Sequence, residues 1–303
     1  MIGISNTKAI SGAILHIDLD AVQSNYRTLV GKLSGVPPAA VVKADGYGLG
    51  AERVCPALAA VGCRVFFVAH LAEGIALRAI LPETEIHILN GLMPDALHAY
   101  REHRLIPVLG SLGDMAQWKS FCADTPLPCD IHVDTGMLRL GLPPNELDVL
   151  ADAPDKVTGL NIRFVMSHLA SADEAGSDQN LTQLAAFTRA RKILPMGQAS
   201  LANSSGIFLG PYYHFEMARP GVALYGGNPT PGQPNPMVPT VTLKGRIAQV
   251  RHATAGDTIG YNATYRVENK AVIATVLVGY ADGYLRSLSG LASGIIDGIM
   301  VPL

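Results

Sequence analysis

Lys43 is the residue whose surroundings most invite chemistry. It closes the apolar run Ala39-Ala40-Val41-Val42 and opens the glycine-punctuated stretch Ala44-Asp45-Gly46-Tyr47-Gly48-Leu49-Gly50. Barrels place their functional groups at the C-terminal ends of parallel strands, where this lysine would stand. An amine between an apolar strand and a glycine loop can have a lowered pKa, which suits a Schiff base with a carbonyl compound. The plainer alternative is a surface lysine at a strand end. No metal centre is expected: the nine histidines contain no HxH or HExxH pattern. Cys55 and Cys63 are eight apart and Cys122 and Cys129 seven apart, too far for a zinc knuckle. Such sparse cysteines suit reduced thiols in a cytoplasmic enzyme.

The elements that must position Lys43 read as alternating strands and helices. Apolar, strand-like runs end at Lys43 and recur at 65–69, 86–90, 105–110, 130–134, 161–168, 198–204 and 221–226. Helical patterns lie between most of them. The first, DAVQSNYRTLVGKL, has Asp20 as its expected N-cap, and the last, near residues 178–193, has Ser177 or Asp178. Eight short apolar strands alternating with helices argue for a parallel sheet, either open and doubly wound or closed. The count of eight favours an α/β fold of the (β/α)8 type.

The pattern changes after residue 226. The stretch Gly227–Pro239 holds five prolines and reads as a linker over 227–240. Beyond it, from 241 to 303, β-branched residues dominate and turns carry Gly, Asp and Asn, which predicts a separate β domain. The expected division is thus a barrel over 12–226, with 12–20 as a candidate partner strand of the β domain, then the linker, then a β domain that reads as truncated at Val301-Pro302-Leu303. The formal net charge of −2 gives no bulk electrostatic reason to bind nucleic acid or an anionic membrane. No apolar run approaches the roughly 20 residues of a membrane span, and no secretory signal pattern opens the chain.

The stretch VVKADGYGLG resembles the cofactor-lysine motif of alanine racemases. HIDLDAVQSNYRTL, HVDTGMLRLG, MSHLASAD, LANSSG, ARPGVALYG, IGYNATY and VGYADGYLRSL follow in that family's order, along nearly the whole chain. The resemblance implies a pyridoxal 5'-phosphate barrel followed by a β domain. It implies a homodimer whose active sites are shared between subunits, interconverting L- and D-alanine for cell-wall precursor synthesis. Lys43 then matches the lysine that forms the cofactor's aldimine and acts as one of two acid–base groups. Tyr261 matches the second, contributed by the partner subunit. Removing a proton from one face of Cα and returning it to the other requires two such groups. His168 matches the imidazole partner of that tyrosine. Arg219 matches the arginine facing the pyridine nitrogen; it cannot give up its proton, so that nitrogen stays unprotonated.

The resemblance further implies phosphate binding by Tyr47, Ser204, Gly221 and Val222, with Asn203 positioning the loop or contacting the ring. Arg139 matches the arginine that holds the substrate carboxylate, and Tyr280 lies where the family lines the substrate entrance. Many members carry a carbamylated lysine seven residues before that arginine, where this chain has His132. Either His132 is a substitute hydrogen-bond partner or Arg139 is held differently, with a bound anion. Three rivals stand beside alanine racemisation. They are a racemase of broader substrate range, a pyridoxal-phosphate-binding homeostasis protein, and a decarboxylase on the same barrel. The β domain and IGYNATY argue against the second. The tyrosine–lysine pair argues against the third.

Overall fold

Strands such as Val65-Phe66-Phe67-Val68 and Ile106-Pro107-Val108-Leu109 are buried at every position, which requires a sheet covered on both faces. The computed structural model describes residues 10–303 and divides the chain into two units. One spans Ile17–Thr240 and the other joins residues 10–16 to Val241–Leu303.

In the first unit the elements alternate. Helix α1 (Leu19–Lys32) precedes β2 (Ala40–Val41), α2 (Ala51–Ala60), β3 (Val65–Val68), α3 (Leu71–Ile80) and β4 (Glu85–Ile88). Then come α4 (Leu97–Glu102), β5 (Ile106–Leu109), α5 (Leu112–Phe121), β6 (Pro128–His132), α6 (Pro144–Asp152), β7 (Asn161–Met166), α7 (Asp178–Ile193) and β8 (Gln198–Ser200). The seven strands form one parallel sheet in sequence order. Its pleat splits the apolar residues into two clusters. Val65, Phe67, Val108, Phe164 and Met166 pack together, while Phe66, Val68 and Leu109 belong to a larger cluster with Leu29, Leu58, Leu77 and Trp118 of the helices.

The expected eighth strand is corrected in place. Residues 221–226 do not form one: Val222–Tyr225 is a short 3-10 helix. The sheet closes a few residues earlier, through an irregular segment. Ala39 N–H donates to Ala218 O and Val41 N–H to Pro220 O, while Glu216 N–H and Arg219 N–H donate to Ala199 O and Ala202 O. The segment 216–220 therefore bridges β8 to β2. A glutamate, an arginine and a proline in five residues hide it from a hydrophobic pattern. The N-cap of α1 is Asp18, whose carboxylate accepts Ala21 N–H at 2.9 Å; Asp20 lies in the first helical turn.

In the second unit β1 (Ala13–Ile17) pairs with β9 (Val241–Gly245). Strand β10 (Ile247–Ala253) pairs antiparallel with β13 (Ala271–Val276), β11 (Thr258–Ile259) with β12 (Tyr265–Arg266), and β14 (Ser293–Ile296) with β15 (Ile299–Pro302). Among the described residues, no helix is long and apolar enough to cross a membrane.

Candidate active site at the barrel mouth

Lys43 follows β2 and is half-buried. After it the backbone turns left-handed: φ is 53° at Ala44, 54° at Asp45, 64° at Gly46 and 57° at Tyr47. Each non-glycine residue in that region costs roughly 1–2 kcal/mol, so three of them persist only where specific bonds hold them. Gly46 N–H donates to Val42 O at 2.9 Å, Gly48 N–H to Ala44 O at 2.8 Å, and the Asp45 carboxylate accepts Ala51 N–H at 2.7 Å.

The same turn delivers Tyr47. Its ring stacks on Tyr225 at 4.7 Å between centroids, and Tyr225 donates its hydroxyl to Val41 O. A Cβ added at Gly221 would lie 2.2 Å from the Tyr47 hydroxyl oxygen, so any larger residue there displaces the tyrosine ring. Ser204 Oγ accepts the N–H groups of Gly221, at 2.9 Å, and Ala223, at 3.2 Å. The Tyr47 and Ser204 hydroxyls therefore meet at the turn that opens with Val222, where Ser204 already takes the Gly221 and Ala223 amides; hydroxyls beside a backbone amide at such a turn are a donor set suited to a phosphate.

Arg219 comes from the closing segment 216–220 and is fully buried. Its guanidinium donates to Ser200 Oγ and Ser167 O. Among the described residues no carboxylate lies within ion-pair distance of it. Burial lowers its pKa to about 10, opposed by the more distant charge of Asp130, so it remains a cation at neutral pH. A polar chain backs this arginine: Ser167 Oγ and Thr135 Oγ1 are 2.7 Å apart, and Gln183 donates to Thr135 Oγ1 and to His168 O.

Two imidazoles share this cationic mouth. Burial, then the charges of Arg219, His132, Arg139 and Lys43, push His168 down to about 3. Burial and Arg219 push His132 down to about 4, against the pull of Asp134. Both are neutral at physiological pH. Arg139 is exposed, on a loop shaped by Asp134, whose carboxylate accepts the N–H groups of Gly136, Met137 and Leu138. Arg139 and His132 line a cleft of about 340 Å³ with Asn90, Ser111 and Asp114. Neutral His132 supplies no negative charge to Arg139. Asn203 spends its side-chain amide on the backbone, accepting Gly206 N–H and donating to Leu169 O, which is a loop-holding role.

The mouth thus gathers Lys43, Arg139 and a buried, carboxylate-free Arg219 around two neutral histidines, beside the cradle of Tyr47, Ser204 and Gly221. Such an array fits a phosphorylated carbonyl cofactor on the lysine and a carboxylate substrate.

The family model for the alanine racemase N-terminal domain matches residues 17–229, and that for the C-terminal domain matches residues 240–303. The chain belongs to the alanine racemase family. It is 48% identical to a catabolic alanine racemase of Mesorhizobium japonicum, over 98% of this chain and 78% of that protein. It is 47% identical to an alanine racemase of Methylobacterium nodulans, over 96% and 79% respectively. Among solved structures it superposes on the Bartonella henselae alanine racemase with covalently bound pyridoxal phosphate. The TM-score is 0.90 at 39% identity, covering 96% of this chain and 82% of that one.

Of the residues that the alanine racemase motifs single out, Tyr47, Ser204 and Gly221 meet in direct contact. Arg219, Arg139 and Lys43 each act electrostatically on His168. Val222 lies beside them and is half exposed. Tyr261 and Tyr280 stand in the other unit, 81% and 77% exposed, and Tyr261 precedes two left-handed residues, Asn262 and Ala263. Sequence reading overlooks Ser200, Ser167 and Glu73. A serine inside a strand and a glutamate in a helix's first turn are too ordinary to draw notice.

Proposed function

We propose that this chain interconverts L- and D-alanine using pyridoxal phosphate attached at Lys43. The observation that carries this reading is the buried Arg219 guanidinium beside two neutral imidazoles and a lysine, a cationic mouth that requires an anionic occupant. When bound, pyridoxal phosphate supplies the electron-withdrawing ring that acidifies the substrate Cα–H. Tyr47, Ser204 and the Val222 amide would hold the phosphate, the Gly221 amide turning to it from Ser204 Oγ, with Asn203 fixing the loop beneath. Arg219 donates to the ring nitrogen and keeps its own proton. Arg139 takes the substrate carboxylate.

Lys43 Nζ moves a proton on one face of Cα and Tyr261 Oη on the other. In this reading Tyr261 belongs to a second copy of the chain in a cytoplasmic homodimer. The high exposure of Tyr261, Tyr280 and Val250 in a single chain supports that assignment, because exposed apolar surface of this kind marks interaction faces. Tyr280 lines the entrance, and neutral His168 is the hydrogen-bond partner of the Tyr261 phenol.

Cα proton exchange in D2O, followed by NMR with chiral analysis, tests the reading. Both enantiomers of alanine, serine, lysine and arginine are supplied separately with pyridoxal phosphate. Exchange with inversion, fastest for alanine, is expected. Fastest turnover of a larger amino acid would reassign the substrate, and no exchange on a verified Lys43–cofactor adduct would overturn the racemase reading.

A further inference from the structure

Glu73 lies on α3, one strand and one helix beyond Lys43 in the chain, and both of its carboxylate oxygens are occupied. Oε2 accepts Ala69 N–H at 2.8 Å and His70 N–H at 2.9 Å. Oε1 accepts Ala44 N–H at 2.5 Å and Asp45 N–H at 3.4 Å. The first pair is half of an ordinary capping arrangement, in which the third residue of a helix reaches back to the amides before it. The second pair has no capping function. It crosses to the preceding β–α loop and grips the first two amides of the left-handed turn that begins after Lys43.

The Ala44 N–H belongs to the same peptide plane as the Lys43 carbonyl. Holding that amide fixes the plane on the C-terminal side of Lys43, and with it the direction in which the side chain leaves the strand. Ala44 and Asp45 have no glycine freedom to excuse their φ values of 53° and 54°. Their amides are presented together because both are left-handed, and one carboxylate oxygen meets both. A charged acceptor suits this place, since hydrogen bonds to a carboxylate are about twice as strong as neutral ones.

We infer that Glu73 is a positioning residue for Lys43: its carboxylate clamps the left-handed turn and thereby aims the lysine amine. The inference rests on the racemase reading for its catalytic consequence, and on geometry alone for the clamp. Glu73→Gln separates the clamp from simple capping. Glutamine is an accepted capping-box residue, so a purely capping Glu73 would tolerate it. The clamp needs acceptors on both sides, and an amide offers one oxygen and two donors.

The holoenzyme and the cofactor-free chain are each compared with wild type. For the holoenzyme of Glu73→Gln, kcat should fall by about tenfold to a hundredfold, the penalty of a misaimed reacting group. KM for alanine, bound cofactor and Tm should stay near wild type. Glu73→Asp, which keeps the charge at shorter reach, should recover part of kcat. In the cofactor-free chain, hydrogen-exchange mass spectrometry should show faster exchange of the Ala44 and Asp45 amides in Glu73→Gln. Wild-type kcat with unchanged exchange in this variant would overturn the clamp, as would a kcat loss matched by equal loss of Tm and cofactor. A wild-type chain that does not racemise alanine would overturn the functional reading instead, while the exchange measurement still decides the clamp.

Discussion

His132 and His168 show how a residue's protonation state is set by its neighbours. Both sit among cations, and both are depressed from an ordinary value near 6.5, to about 4 and about 3. In the unfolded chain they would take up protons below pH 6.5, whereas the folded chain resists. Their stabilising contribution is therefore complete above pH 6.5 and lost as pH falls toward 4 and 3. Denaturant titrations of the cofactor-free chain from pH 7.5 to 4.5 should show stability dropping by roughly 2–3 kcal/mol per imidazole. His132→Gln should flatten that slope, and an unaltered slope would refute the assignment. Lys43 was legible in the sequence because an apolar strand and a glycine loop flank it. The partners that hold the site were not. Ser167, just after β7, and Ser200, at the end of β8, bind Arg219, and only folding brings them beneath residue 219.

At the scale of elements, the close approach of Tyr47 to Gly221 makes the cradle intolerant of a methyl group. Gly221→Ala should push the Tyr47 ring off Tyr225 and weaken cofactor binding by about tenfold, read from fluorescence titration. The barrel interior carries a second constraint. His87 on β4 and Asp130 on β6 are both fully buried, with Nδ1 and Oδ2 2.6 Å apart, and Asp130 Oδ1 also accepts Phe164 N–H where the β6–β7 register shifts. Asp130→Ala strands a buried imidazole against Phe67 and should cost about 3–5 kcal/mol in urea unfolding, while Asp130→Asn, which still accepts a hydrogen bond, should cost less. The alternation of strands and helices was readable because VFFV and IPVL are short, apolar and bounded by breakers. The closing segment 216–220 was not, because it buries only Met217 and Ala218 in the core and spends Glu216 on the Ala199 amide and Arg219 on the site, which leaves no apolar run to read. The N-cap expected at Asp20 lies two residues too late for a related reason: Asp18 and Asp20 alternate in HIDLDA, and only the backbone shows which one precedes the helix.

At the scale of the whole molecule, a site shared between copies has a distinctive signature. Lys43→Ala should lose covalent cofactor attachment, and Tyr261→Phe should lose turnover while keeping it. Neither homodimer should racemise alanine. Mixed by denaturation and refolding in equal amounts, half of the dimers are heterodimers carrying one intact site each, so about a quarter of wild-type activity should return. No recovery, with heterodimers verified by native mass spectrometry, would mean that both residues serve the same chain. The four cysteines add a different kind of consequence. Cys55, Cys63, Cys122 and Cys129 are all free, all buried and all within Ile17–Thr240, and burial holds three of them near or above a pKa of about 12. The native protein should therefore ignore a thiol dye, and each labelling event will timestamp an opening of the barrel alone. The unit of Val241–Leu303 has no thiol and can come and go unrecorded. The chain thus carries its own clock for one of its two units, read without adding a single mutation.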